Sequence, residues 1–307
     1  MNTEHQMSRL QSVCREKSPL CIGLDTDVSY IPPSVAEKFA SPAEAVLAYN
    51  NAIIAAAGKY AGCFKIQIAY YEAMGLSGLD AYAKTLKAVR ATGIPVISDI
   101  KRGDIADTAK AYARAHFSGD FETDIITINP YMGFDTLTPF TEWCKSEKGG
   151  KGAFVLLCTS NPGMKDIEHQ KLADGSILLE KVGNEIARIG AEFKAEYPKQ
   201  TCGPIGAVVG ATQEADARYL RDKYPDVFFL IPGYGAQGGA ARVAATLLDK
   251  AGGTVNSSRG ILCAWKKSEK LAEKRDSGLL TMDDIVEAAA EAAEKSMIDL
   301  KDAFNSL

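Results

Sequence analysis

Residues 97–108 read Ile-Ser-Asp-Ile-Lys-Arg-Gly-Asp-Ile-Ala-Asp-Thr, and the run entering them, Gly-Ile-Pro-Val-Ile (93–97), is apolar. Such a run reads as a buried strand. Charge arrives at its end, as Asp99, Lys101 and then Asp104. Side chains two apart on a strand point the same way, so Asp99 and Lys101 are expected to share one face at the strand's C-terminal end. Charge there is costly unless paired or solvated, which marks the position as one in use.

Outward from this strand the same pattern recurs. Short apolar runs at Leu20–Leu24, Cys63–Ile68, Pro95–Ile100, Asp124–Ile128, Ala153–Cys158, Ile205–Val209, Val227–Ile231 and Gly260–Ala264 alternate with helix-like stretches such as Ala43–Ala57, Leu79–Ala91 and Ser176–Tyr197. Alternation of this kind predicts a parallel sheet, and eight repeats favour a closed (β/α)8 TIM barrel over an open doubly wound sheet. The polar stretch 145–152 lies between helix-like Leu137–Cys144 and the fifth strand, and reads as a loop rather than an interdomain linker. A capping-box-like start at Thr281-Met282-Asp283-Asp284 opens a last helix running to Phe304. Residues 1–307 are therefore read as one barrel domain with an N-terminal extension and a C-terminal helix.

Composition narrows the classes of function. The formal net charge of −4 over 307 residues gives no reason to expect nucleic acid or an anionic membrane as partner. Seven cysteines, none in a CxxC pair, suit a reducing cytoplasm better than a disulfide framework, with Cys21, Cys158 and Cys263 expected as buried thiols in strands. The first residues lack the pattern of a signal peptide, and no apolar stretch reaches the length of a membrane span.

Barrel enzymes carry their chemistry at the C-terminal ends of the strands. Read in order, those ends supply Asp25, Lys65, Asp99 with Lys101, Asn129, Thr159-Ser160, Thr212-Gln213 and the glycine-rich Pro232–Gly239; Asn256–Gly260 falls around the start of the eighth strand. Two of these places suit an anion. Backbone N–H groups of a glycine-rich loop can close on a phosphate, and Arg259 can grip phosphate oxygens in a bidentate fork. Plainer readings exist for each residue singly: Lys65 at the surface, Asp99 and Lys101 as an ion pair closing the barrel, Asp25 as a helix cap, Asp104 and Thr108 in a first helical turn. Together, alternating lysines and aspartates at adjacent strand ends favour a site.

Asp99-Ile-Lys101-Arg-Gly-Asp104-Ile resembles the Asp-x-Lys-x-x-Asp-Ile motif of the orotidine 5′-phosphate decarboxylases. Gly-Leu-Asp25, Phe-Lys65, Thr159-Ser160-Asn161-Pro162-Gly163, Pro232–Gly239 and Arg259 extend the likeness over nearly the whole chain, and Asn129-Pro130-Tyr131-Met132-Gly133 resembles the longer bacterial-type branch. The resemblance implies decarboxylation of orotidine 5′-phosphate to UMP, the final step of de novo pyrimidine nucleotide synthesis, without a cofactor. It implies Lys65, Asp99, Lys101 and Asp104 as an alternating charge network, with Lys101 protonating C6 and Asp99 against the substrate carboxylate. Asp25 and Lys65 would hold ribose hydroxyls, Ser160 the pyrimidine, and Gln237, Gly235 and Arg259 the phosphate. It also implies a homodimer in which Asp104 and Thr108, set on one helical face by their spacing, reach the neighbour's site. The sequence has no GxGxxG after its first strand, no Walker loop and no metal-ligand cluster. A related barrel lyase or synthase acting on a sugar phosphate, and a non-catalytic nucleotide-phosphate binder, are the alternatives.

Overall fold

In a computed structural model, residues 4–210, 214–233 and 240–306 are described. Eight parallel strands form a closed barrel in sequence order: β1 (Leu20–Gly23), β2 (Cys63–Gln67), β3 (Val96–Arg102), β4 (Ile125–Ile128), β5 (Gly152–Cys158), β6 (Ile205–Val209), β7 (Phe229–Ile231) and β8 (Gly253–Ser257), with β1 pairing to both β2 and β8. The expected barrel is thus present, and seven of the eight strands fall where their apolar runs place them.

The eighth does not. Gly260–Ala264 is no strand: Arg259–Leu262 form a short helix, and Cys263 follows it. The strand is Gly253–Ser257, whose inward residues Thr254 and Asn256 are polar, so its apolar signal is weak. Ile261 and Leu262 are apolar because they are buried under the helical layer, not because they extend a sheet. Asn256–Gly260 consequently sits at the end of β8, on the side of the barrel where the other candidate residues lie, rather than at its start.

The long helices are α1 (Gln6–Glu16), α2 (Pro42–Ala57), α3 (Gly75–Ala91), α4 (Ala106–Phe117), α5 (Leu178–Glu196), α6 (Glu214–Lys223), α7 (Ala240–Leu248) and α8 (Met282–Asn305). Local chemistry sets their starts. Ser41 caps α2 with Pro42 in its first turn, and Thr281 with Asp284 forms the expected capping box of α8. α8 packs beside α2 and α7 and so closes the helical ring. α1 precedes the barrel and seals its N-terminal mouth. Met7, Leu10 and Cys14 join the inward-facing Cys21, Cys63, Ile97, Ile125, Phe154 and Phe228 in one buried cluster. Polar bonds pin α1 there, from Gln6 N–H to Gly150 O (2.8 Å) and from Gln11 Nε2 to Ala251 O (2.6 Å).

The barrel interior is therefore graded. At its N-terminal end it is apolar; two residues further along the strands it becomes Lys65, Asp99, Thr127 and Asn256, all buried. Strand alternation makes this inevitable once Cys63, Ile97, Ile125 and Thr254 face inward.

Candidate active site

The polar layer is a connected chain of opposite charges. Lys65 Nζ lies 2.8 Å from Asp25 Oδ1 and 3.2 Å from Asp99 Oδ2, and Lys101 Nζ lies 2.6 Å from Asp99 Oδ1. Lys65 is 4% exposed and Asp99 7%, whereas the Lys101 side chain is 45% exposed and forms the open end of the chain. Burial works against the Lys65 charge, but the Asp25 and Asp99 carboxylates outweigh it and hold the ammonium above its ordinary range. Burial likewise opposes the Asp99 charge, yet Lys65 and Lys101 hold that carboxyl at about 2.

Neutral groups finish the array. Ser258 Oγ donates to Asp25 Oδ2 (2.8 Å) and accepts from Asn256 Nδ2 (3.1 Å). This hydroxyl approaches β1 so closely that a Cβ at position 23 would lie 2.0 Å from it, which is why glycine stands there. Asp25 is thus an ion-pair partner rather than a helix cap. Thr127 Oγ1 donates to Asp99 Oδ1 (2.8 Å) and accepts from the backbone N–H of Ile100 (3.0 Å) and Lys101 (2.9 Å). It does so where β3 loses register with β4 between Ser98 and Arg102, and where Lys101 adopts a left-handed φ of 46°. That conformation costs a non-glycine residue about 1–3 kcal/mol. Asp99 and Lys101 do meet, but across a kink in the strand rather than along a regular one.

The remaining candidate residues surround this core without joining it. Asp104 makes no ion pair among the described residues; its carboxylate accepts only from Ile105 N–H. α4 begins at Ala106, so Asp104 lies outside it, and the expected shared helical face with Thr108 does not exist. Thr108 is exposed in the first turn of α4. Ser160 is exposed beyond β5, its backbone packed against Gly210 at the end of β6. Arg259 opens the short helix after β8, exposed and without an ion pair among the described residues. Gln237 and Gly235, most of the Pro232–Gly239 loop, and Thr212 and Gln213 lie outside the described residues.

Sequence reasoning missed Thr127 and the roles of Asn256 and Ser258. Alternation offered a signal for Thr127: it shares the inward face of Ile125, where a hydroxyl needs partners.

Comparisons agree with this geometry. The profile of the Orotidine 5′-phosphate decarboxylase / HUMPS family matches residues 18–274. The chain is 49% identical over 267 residues to an orotidine 5′-phosphate decarboxylase of Clostridium botulinum (strain Loch Maree / Type A3), covering 86% of this chain and 91% of that one. Among solved structures it is similar to the OMP decarboxylase of Leishmania donovani (TM-score 0.73, 28% identity, 99% of this chain and 100% of that one). It is also similar to a putative orotidine 5′-phosphate decarboxylase of Streptomyces avermitilis (TM-score 0.79, 29% identity, 99% and 98%). With the charged array of Asp25, Lys65, Asp99 and Lys101 at the mouth of its barrel, the chain belongs to the orotidine 5′-phosphate decarboxylase family.

Proposed function

We propose that the chain decarboxylates orotidine 5′-phosphate to UMP and CO2, with Lys101 as the proton donor. The observation that carries this reading is the half-exposed Lys101 ammonium, 2.6 Å from a buried, ionised Asp99. The C6–carboxylate bond breaks, CO2 departs, and the electron pair stays on C6. Lys101 stabilises that charge and gives its proton to C6; the exposed side chain then regains a proton from solvent. Asp99 stands against the substrate carboxylate, and their repulsion is relieved as CO2 leaves. Charges fixed in advance need no reorganisation during the reaction, and this preorganisation is the main source of rate.

Asp25 and Lys65 hold the ribose hydroxyls, and Ser160 contacts the pyrimidine. Gly235, Gln237 and Arg259 bind the phosphate, whose remote binding energy draws the Pro232–Gly239 loop over the site. The enzyme works as a homodimer with shared sites. Support comes from Asp104, which makes no ion pair among the described residues, and from Leu76, Ile105, Tyr131 and Met132, residues exposed around the loops after β2, β3 and β4. α1, the barrel and α8 form one domain. All seven cysteines are free, which suits the cytoplasm. The names of the relatives favour decarboxylation over sugar-phosphate chemistry.

The test follows the absorbance change as orotidine 5′-phosphate becomes UMP, with chelator present. Turnover by the wild type, and none by a folded Lys101→Ala variant, is expected. Near-normal activity of that variant removes Lys101 from the proton-donor role.

A further inference from the structure

The stretch between β5 and α5 holds a contact that the chemistry above does not use. Thr159 directly follows β5 and precedes Ser160. Its backbone N–H donates to Glu168 Oε2 (2.9 Å) and its hydroxyl to Glu168 Oε1 (2.6 Å). Both oxygens of one carboxylate are thus spent on one residue nine positions earlier, and Glu168 makes no ion pair among the described residues. The other side of Glu168 is fixed as well. Its carbonyl accepts from Leu179 N–H (2.9 Å), and Gln170 O accepts from Leu178 N–H (2.9 Å), satisfying two of the free donors at the start of α5.

Packing holds the loop that Glu168 closes only in part: Met164 and Ile177 rest partly buried on the core, whereas Ile167 is exposed. A cavity of about 280 Å³ lies beneath it, lined by Met164, His169 and Ile177 from the loop and by Cys158, Gly210 and Leu220 from the barrel and α6. Among the described residues, the other hydrogen bonds of 161–170 run within the segment or to the start of α5; the carboxylate of Glu168 ties it back to the strand end. Ser160 itself is exposed, and its backbone N and Cβ lie against Gly210 at the end of β6.

We infer that Glu168 is a positioning residue: by latching both donors of Thr159 it fixes Ser160 at the mouth of the site, over a cavity into which the loop would otherwise sink. This rests on the reading of Ser160 as a substrate contact. A displacement of about 1 Å in a binding group can cost about a hundredfold in rate. Glu168→Ala should therefore lower kcat/KM for orotidine 5′-phosphate about tenfold to a hundredfold, with the same division between kcat and KM as Ser160→Ala.

The experiment is a double-mutant cycle on the full-length enzyme, paired with limited trypsin digestion read as cleavage after the exposed Lys165. Four results are expected. Glu168→Ala and Ser160→Ala lose similar activity, and the double variant falls no more than about threefold below the weaker single one. Glu168→Gln, which can accept the N–H and donate to the hydroxyl, stays within about threefold of wild type. Glu168→Ala is cut after Lys165 at least tenfold faster than wild type. Losses that multiply, or a Glu168→Ala enzyme within twofold of wild type while Ser160→Ala is impaired, overturn the inference. If Ser160→Ala is itself silent, the reading of Ser160 fails instead, and cleavage decides the latch: faster cutting supports it, unchanged cutting overturns it. Should Glu168→Ala not be recovered folded, Thr159→Val, which deletes one of the two bonds, takes its place in both measurements.

Discussion

Replacing Thr127 by valine keeps the shape of a buried side chain and deletes three hydrogen bonds. The hydroxyl's bond to the ionised Asp99 is worth about 1.5–3 kcal/mol, and leaving the buried Ile100 N–H without an acceptor costs about 1–3 kcal/mol. The third bond, from Lys101 N–H, counts for less, because Lys101 is exposed and water can replace it. A loss of about 3–5 kcal/mol is expected, read as a lower urea midpoint at neutral pH with an unchanged slope. Activity should fall further than stability implies. The left-handed backbone of Lys101 is held by this hydroxyl, and its relaxation moves the ammonium away from C6, at a cost of about a hundredfold in kcat. Thr127→Ser keeps all three bonds and loses one methyl group, worth about 1 kcal/mol, so it separates the hydroxyl from the packing. A valine variant as stable and as active as the serine variant would refute the account.

Other outcomes follow from the charged array. Asp99 is held at about 2 against an ordinary value of 3.8, so its stabilisation is complete above pH 4 and lost as the pH falls toward 2. It amounts to about 2 kcal/mol, and the wild-type acid denaturation limb should show it while that of Asp99→Asn does not; coincident limbs would count against it. Lys65→Met leaves Asp25 and Asp99 without their shared cation and should destabilise the fold by about 3–5 kcal/mol in urea titration, with partial recovery in Lys65→Met/Asp99→Asn. Mixing Lys101→Ala and Asp104→Ala chains should restore activity through hybrid dimers holding one intact site. Verified heterodimers without activity would contradict shared sites.

What the sequence disclosed follows the strength of its local signals. Seven strands announced themselves because both of their faces are buried, so their apolar runs are nearly continuous. β8 did not, because its inward residues Thr254 and Asn256 are polar and hydrogen-bond to β1 and its neighbourhood: Thr254 Oγ1 donates to Pro19 O, and Asn256 Oδ1 accepts from the Cys21 thiol. Lys65, Asp99 and Lys101 were legible because charge is rare in such strands. Their partner Thr127 was hidden, since threonine is an ordinary strand residue and its three bonds come from another strand. The kink at Lys101 was equally invisible, as strand periodicity assumes a regular backbone. Asp104 was misplaced on a helix because only its spacing to Thr108 was available, and the true start of α4 depends on how the chain leaves the kinked end of β3. Glu168 carried no signal: its meaning lies in a bond closing nine residues.

α1 precedes every strand of the barrel in the chain, yet some of its partners come late. Its hydrogen-bond acceptors include Gly150 and Ala251, and its apolar face rests on strands spread from β1 to β7. On the ribosome the floor on which this amphipathic segment docks is incomplete until almost the whole barrel has been made. Contacts so distant in sequence form slowly. In the interval both Met7 and Leu10 and the floor they will cover, Phe154 and Phe228 among it, are open to other chains. Concentration and temperature during synthesis should therefore govern the yield of this enzyme more than the stability of the finished barrel does. A fusion partner that delays or obstructs the N-terminus should depress that yield even though it stands at the opposite end of the barrel from the chemistry.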